Sequence, residues 1–447
     1  MSLFGTDGIR ARAGQYPLDA PSLIRLGRVL ARRWRGARVL FARDTRRSGP
    51  ECSTLLGCGL SRAVDRLDLG IFPTPGLSYV LSRSDHDYGV MITASHNPYQ
   101  DNGIKIFNGA GEKLASGEER EIEEDFMREA GRDGGAATDA GTVPDSVPRS
   151  RELRSVYVAF LADQARTIAG EAAHCVLDCA NGATYDLAPR VFEESEMTLD
   201  VINASPDGRN INAGCGSTDL EGLSSRVLDR GAEVGIAFDG DGDRVMFVDR
   251  RGRTIGGDHA LTVIGEWLKR FHGGIFKPVV VGTVLSNMGM ELSLGKMGVK
   301  LMRTDVGDKQ VYAGMKQAGG ILGGEPSGHV ILGHLQRTGD GILTAICLLR
   351  ALRDLNLPMA DVIERVGLFP QVNHSLGIRN RRDLDSWEEL QERIADFEAR
   401  LGKTARLVVR YSGTEAKIRL MMEARDASII EENLPPFVEF FQTHIGE

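Results

Sequence analysis

The sequence predicts an α/β protein of three similar units completed by a smaller C-terminal α+β domain. Three observations carry this expectation. A four-step series of short apolar runs recurs three times, helical stretches alternate with the runs, and the series stops after Phe369-Pro370. The length of 447 residues agrees, because domains of about 100–200 residues imply roughly three or four of them.

Each element has its own signal. In the first unit, residues 39–44 and 66–72 are strand-like runs ending in polar or Pro-rich loops, and 88–93 is a third. A fourth run, 103–107, meets Asn108-Gly109, a hairpin turn signal. The second unit repeats the series at 174–178, 199–203, 233–238 and 244–249, and the third at 278–282, 299–303, 319–323 and 329–332. Helical stretches lie between them, such as 22–34, with Pro21 near its start, and 118–130, where Ile122 and Phe126 stand four apart. Residues 133–149, rich in Gly, Ala, Asp and Pro without periodicity, read as a linker or long surface connection. The last domain reads as a long charged helix at 383–401, then strands at 406–410 and 417–423. The expected domains are 1–150, 151–252, 253–368 and 369–447.

Composition narrows the function. Lys and Arg number 54 and Asp and Glu 62, a net charge of 54 − 62 = −8, which argues against a general nucleic-acid or anionic-membrane surface. Any anionic ligand must then be held locally. Hydrophobic residues at 42% supply cores and argue against disorder. Six cysteines without a Cys-x-x-Cys pair read as reduced structural thiols. No run approaches the ~18 apolar residues of a membrane span and no signal peptide is evident, so a soluble cytoplasmic protein is expected. The 54 glycines, about 12% against a usual 7% or so, follow no Gly-X-Y period and imply many tight turns.

Each unit places its most polar cluster just after its third run, at the strand ends where α/β sheets bind ligands. In the second unit, Asp239, Asp241 and Asp243 alternate with glycines, so three hard oxygen donors can turn to one side around a cation such as magnesium. An acidic turn is the alternative. An EF-hand is excluded, because Arg244 and Arg250 stand where its glycine and closing glutamate belong. In the first unit, Thr93-Ala-Ser95-His96-Asn-Pro98 sets a hydroxyl beside an imidazole at a strand end, either a turn serine or a placed nucleophile for phosphoryl transfer. In the third, Glu325, Ser327 and His329 offer an acceptor, a hydroxyl and an imidazole suited to sugar hydroxyls, with a solvated turn as the alternative. Near the C-terminus, Arg410, Ser412, Gly413, Thr414 and Arg419 form either a phosphate cradle or a charged hairpin turn. Neither Gly-x-x-x-x-Gly-Lys-Ser/Thr nor Gly-x-Gly-x-x-Gly occurs.

Taken together, Phe4-Gly-Thr-Asp-Gly-Ile-Arg10 and the four clusters, in this order over essentially the whole chain, resemble the α-D-phosphohexomutase family. The resemblance implies mixed sheets in three topologically similar α/β domains and a C-terminal α+β domain, all around a central cleft. It implies that Ser95 is carried as phosphoserine and, with Asp239, Asp241 and Asp243, holds Mg2+. Arg10, His96, Lys105 and Arg244 would surround the phosphoserine, with Lys105 and His329 as acid/base candidates. Glu325 and Ser327 would bind sugar, Thr304, Gly307, Asp308 and Lys309 would form another cleft loop, and Arg410, Ser412, Gly413, Thr414 and Arg419 would grip the non-reacting phosphate.

The expected reaction is interconversion of hexose 6- and 1-phosphates through a bound 1,6-bisphosphate, with glucosamine or glucose 1,6-bisphosphate as intermediate or activator. The start at Leu3 and the stretch 212–218 are most similar to members acting on glucosamine phosphates; mannose or glucose phosphates are the alternative substrates. A sugar-phosphate phosphatase or a non-catalytic sensor ranks lower, since a sensor is expected to have lost the serine or an aspartate. The partner implied is a small sugar phosphate, with neither nucleic acid nor membrane, and a homodimer is a compatible assembly. Pro326 and Tyr411 depart from the glutamine and proline frequent at those positions of the family.

Overall fold

Short apolar runs bounded by turn residues become strands, and the four steps of each series become neighbours in one sheet. The computed structural model describes residues 3–5, 7–129, 147–169, 173–412 and 416–446. The first unit comprises β1 (Ile9–Arg12), α1 (Ala20–Arg33), β2 (Arg38–Arg43), α2 (Gly49–Leu60), β3 (Asp65–Ile71), α3 (Thr74–Leu81), β4 (Tyr88–Ile92), β5 (Asp101–Asn108) and α4 (Ser116–Glu129). The second comprises α5 (Val147–Arg166), β6 (His174–Asp178), α6 (Leu187–Glu193), β7 (Thr198–Ile202), α7 (Glu221–Arg230), β8 (Val234–Phe238), β9 (Val245–Asp249) and β10 (Thr254–Ile255). The third comprises α8 (Gly257–Phe271), β11 (Val279–Thr283), α9 (Met288–Lys296), β12 (Lys300–Thr304), α10 (Asp308–Ala318), β13 (Leu322–Gly324), β14 (Val330–Leu332), α11 (Gly341–Asp354) and α12 (Val362–Val366). The fourth comprises β15 (Gln371–Gly377), α13 (Glu388–Leu401), β16 (Ala405–Tyr411), β17 (Lys417–Ala424) and α14 (Ala427–His444).

The first three sheets run β1-β5-β4-β2-β3, β10-β9-β8-β6-β7 and β12-β11-β13-β14. In each, the first three runs are parallel and the fourth is antiparallel, so the sheets are mixed and share one order, second-first-third-fourth. The chain leaves the first run toward one edge and the third toward the other, so the loop after the third run opens at the strand-order reversal. The fourth sheet is antiparallel, β15-β17-β16.

One apolar core runs through the first three units, and the fourth has its own around Trp387, Phe397 and Phe441. Tyr157 of α5 seals the shared core. It packs on Phe72 and Tyr79 of the first unit and donates to Asp340 of the third at 2.8 Å. All six cysteines are unpaired, and no described helix is long and apolar enough to cross a membrane.

Three expectations differ in detail. The helix expected from 383 begins at Glu388, because Asp383 accepts from the Asp385 N–H and the Ser386 hydroxyl and holds a turn instead. The run expected at 319–323 starts as a strand at Leu322, since Gly319 caps α10 with φ +65°. Of the linker expected at 133–149, residues 133–146 lie outside the described residues, and 147–149 open α5. Helix α14 was not anticipated at all, for Pro435 and Pro436 sit inside it.

The third and fourth units meet at a polar junction. Arg406 ion-pairs with buried Glu423 and donates to the Ser286 carbonyl at 2.9 Å, while Glu423 accepts from the Met288 N–H at 3.2 Å. Beneath it Asp258 accepts from the Asn287 N–H at 2.8 Å, and burial pushes its pKa up to about 7. That value lies above the unfolded one, about 3.9, so the neutral carboxyl stabilises the fold fully below about pH 4, and this contribution is lost as pH rises through about 7. Relative to wild type, Asp258→Asn should therefore gain in melting temperature between pH 5 and 8; a gap independent of pH would contradict this burial effect.

Candidate active site

Ser95 sits in the loop after β4, fully buried, with φ +52°. A left-handed non-glycine residue costs about 1–3 kcal/mol and persists only where its surroundings fix it. Here they do. The buried Arg46 guanidinium donates to the carbonyls of Ser95 (2.8 Å), Asn97 (2.7 Å) and Asp101 (3.0 Å), and also to that of Pro98. From the second unit, the Asn212 amide donates to the carbonyls of Ser95 and Asn97 at 2.9 and 3.1 Å. Thr93 accepts from the Ser95 N–H and donates to Asp44, which pairs with Arg46 at 2.8 Å. Gly240 must lack a side chain, since a Cβ there would stand 2.5 Å from the Ser95 carbonyl oxygen.

The loop after β8 brings Asp239, Asp241 and Asp243 against this serine, each buried, with ligand oxygens within 4.8 Å of one another. Ser95 Oγ donates to Asp239 Oδ2 at 2.5 Å. Burial, with the charges of Asp243 and Asp241, pushes the Asp239 carboxyl well above the ordinary range, as expected where like charges crowd together. Asp241 Oδ1 and Asp243 Oδ1 are buried and accept no hydrogen bond. Orphaned carboxylate oxygens converging on a serine hydroxyl fit a hard divalent cation, and Mg2+ suits an all-oxygen donor set of this kind.

Cations of the chain itself occupy the other side. Lys105, buried on β5, lies 2.9 Å from Asp241, 3.0 Å from Asp243 and 3.2 Å from Asp7. Burial would lower its pKa, but the three carboxylates hold it well above the ordinary lysine value. Asp243 is correspondingly held low against its burial, chiefly by Lys105 and His329. His96 lies 3.4 Å from Ser95 Oγ, and burial plus the charges of Arg244 and Arg10 pushes its pKa down to about 4, so it is neutral at neutral pH. Arg10 and Arg244 each keep a buried Nε–H that makes no hydrogen bond. Both charges reach His96, the neighbour of Ser95, and two such donors suit an anion carried on the serine oxygen.

From the third unit, His329 Nδ1 lies 3.6 Å from Asp243 and Nε2 3.7 Å from Asp308. The two carboxylates raise its pKa against burial. Glu325 accepts from the Gly307 N–H at 2.9 Å, joining the loops at 304–309 and 324–329, and the Ser327 hydroxyl is buried without a partner. The other predicted cleft residues are already engaged: Thr304 donates to backbone carbonyls, Asp308 pairs with Lys113, and Lys309 pairs with Glu119 of the first unit.

In the fourth unit Arg410 and Arg419 stand directly opposite on β16 and β17. Facing like charges destabilise a sheet unless an anion bridges them. Burial and Arg419 lower the Arg410 pKa, while the Glu325 charge raises it, so this hairpin lies within electrostatic reach of the third unit's loop. Ser412 follows β16, and its carbonyl accepts from Arg381 at 2.7 Å. Gly413 and Thr414 lie outside the described residues.

Four models of phosphoglucomutase/phosphomannomutase match the chain in order: α/β/α domain I at residues 1–132, domain II at 155–252, domain III at 256–369 and the C-terminal domain at 377–435. The chain belongs to this phosphoglucomutase/phosphomannomutase family. Among relatives of this mutase family, a phosphoglucosamine mutase of Syntrophobacter fumaroxidans is 39% identical, with 100% of both chains covered. One of Thermus thermophilus is 42% identical over 95% of this chain and 94% of its own. Among solved structures, a family protein of Burkholderia thailandensis superposes with a TM-score of 0.77 at 23% identity over 100% of this chain and 99% of its own. The Aspergillus fumigatus N-acetylphosphoglucosamine mutase, solved with GlcNAc-6P and magnesium, gives 0.67 at 17% identity over 96% of this chain and 93% of its own. These last two likenesses establish the mutase fold.

Several residues that build the site escaped the sequence reading. Arg46 and Asp44 follow β2 at the same sheet end as Ser95, a position that could have flagged them. Thr74, whose hydroxyl donates to Asp241 at 2.5 Å, follows β3 at that end too. Asn212 opens the stretch 212–218 that the resemblance singled out, though without this role at Ser95, and Lys113 had no such signal.

The crowded carboxylates give a prediction with a definite sign. Asp239→Asn removes one of three mutually repelling charges, so in EDTA its melting temperature should equal or exceed that of wild type. In millimolar Mg2+ wild type should gain several degrees and the variant little. Equal metal-dependent shifts would exclude Asp239 from the cation site.

Proposed function

We propose that the protein interconverts glucosamine 6-phosphate and glucosamine 1-phosphate, carrying the transferable phosphoryl group on Ser95. The observation that carries the reading is the joint one: phosphoglucosamine mutases are about 40% identical over nearly the full chain, and Ser95 Oγ faces three buried carboxylates. The free O1 or O6 of the sugar attacks phosphorus, its bond to phosphorus forms as the Ser95 Oγ–P bond breaks, and the hydroxyl proton passes to a base on the cleft wall. The 1,6-bisphosphate then turns end for end, and the other phosphoryl group returns to Ser95 with proton transfer in the opposite sense.

Within this scheme Asp239, Asp241 and Asp243 would hold Mg2+, which when bound offsets charge on the transferring phosphoryl group. Arg10 and Arg244 hydrogen-bond the phosphoryl oxygens on Ser95, and neutral His96 adds a contact without adding charge. Lys105 and His329 are the groups for proton transfer. Glu325 and Ser327 orient the sugar, and Arg410, Ser412 and Arg419 hold the phosphate that does not react, O1- or O6-linked in turn. Trace hexose 1,6-bisphosphate serves as activator by restoring phosphoserine. The six unpaired cysteines are in keeping with a reducing, cytoplasmic setting.

Glucosamine, glucose and mannose phosphates should be compared with trace glucose 1,6-bisphosphate present. The expected result is a kcat/KM for glucosamine 6-phosphate at least tenfold above the others, without stoichiometric phosphate release, and a loss of about 10³-fold or more in Ser95→Ala. A preference for glucose or mannose phosphate would move the assignment to those sugars, and steady phosphate release would make the protein a phosphatase.

A further inference from the structure

Lys113 follows the β5 turn, tied to it by a bridge to Phe107, and its side chain is only 8% exposed. Its ammonium pairs with Asp7 of the first unit and Asp308 of the third. Both partners lead into the site: Asp7 pairs with Lys105 at 3.2 Å and with Arg10, and Asp308 lies 3.7 Å from His329 Nε2, which itself accepts from the Gly339 N–H at 3.1 Å. His329 Nδ1 and Lys105 in turn converge on Asp243, at 3.6 and 3.0 Å. The contacts therefore close on themselves. Lys105, Asp7, Lys113, Asp308, His329 and Asp243 form a ring of alternating basic and acidic groups drawn from three units.

We propose that Lys113 is a positioning residue, which sets the distance across the cleft between Lys105 and His329 by holding Asp7 and Asp308 together. Of the six groups it lies farthest along the ring from Asp243, and it closes the seam between the first and third units at the site. Without its charge, the Asp7 and Asp308 carboxylates face each other with no cation between them, Asp7 keeping only Lys105 and Arg10 on its other side, and such a pair moves apart. Lys105 and His329 then shift with their partners, and displacements near 1 Å cost proton transfer dearly, about 10²-fold.

The units would not separate altogether. Farther along the seam, Glu112 accepts from Tyr312 at 2.9 Å and from Lys316 at 3.0 Å, and Lys309 pairs with Glu119. The Glu112 carboxylate pairs with Tyr312, Lys316 and Arg337, none of them in the ring, so it separates the effect of the ring from that of the seam.

This inference rests on the mutase reading, so all proteins are assayed on glucosamine 6-phosphate with trace glucose 1,6-bisphosphate, alongside melting curves. Lys113→Met should lose 30-fold or more in kcat with KM within threefold of wild type, while Glu112→Gln keeps kcat within twofold. Combining Lys113→Met with Asp308→Asn should cost no more in kcat than the worse single change, because both open the same ring. Wild-type kcat in Lys113→Met, an equal loss in Glu112→Gln, or additive losses in the double variant would overturn the proposal. Should Lys113→Met fail to fold, Asp308→Asn carries the test, and an unchanged kcat there overturns it. A wild type inactive on all three sugar phosphates defeats the mutase reading, and this inference with it.

Discussion

Asp239, Asp241 and Asp243 crowd their buried carboxylates so closely that the set is stable only with cations around it, and the rest of the cleft is arranged to meet that need. The first unit supplies Lys105, fully buried and bonded to two of the three. The third supplies His329, and Arg244 follows the loop itself. Two carboxylate oxygens still accept no hydrogen bond, and that shortfall points to a divalent metal. The serine hydroxyl takes its place on the remaining side through Asp239. One concentration of charge thus orients the Ser95 hydroxyl, Lys105 and His329 together, the groups proposed for phosphoryl and proton transfer.

Threefold repetition of one sheet order brings these groups to a common centre. In each of the first three units the loop after the third run opens at the strand-order reversal, and these loops hold Ser95, the three aspartates and Glu325. A core shared by the three units, sealed by Tyr157, holds the loops in register. The fourth unit keeps a separate core and meets the third through polar contacts around Glu423 and Arg406. That construction suits a unit that grips a phosphate while the rest of the ligand turns.

The strands of the three series were legible because each is a short apolar run closed by turn residues, and the recurrence of their order made the three units legible as well, whereas β1, β10 and the polar β15 were not anticipated. Polar clusters at strand ends announced Ser95, the aspartates and Glu325 for the same reason. What stayed hidden depends on contacts between distant parts of the chain. Lys113 reads as one more charge in Gly-Glu-Lys-Leu, yet it is enclosed between two units. Arg46 becomes the main support of the Ser95 loop only once β2 and β4 are neighbours. Tyr411, which departs from the family's frequent proline, both donates to the Arg382 carbonyl at 2.7 Å and accepts from its N–H at 2.9 Å, so a hydroxyl now fixes that turn. Helix α14 runs through two prolines because its apolar face is buried against the fourth sheet, a tertiary gain no local propensity expresses.

The central claim is that Ser95 carries the phosphoryl group between substrate and product. Protein treated with glucose 1,6-bisphosphate labelled with ³²P should take up about one label per chain, found by peptide analysis on Ser95, and should pass it to glucosamine 6-phosphate within a single turnover. Label on another residue, or full turnover by a chain that never becomes labelled, would contradict the claim.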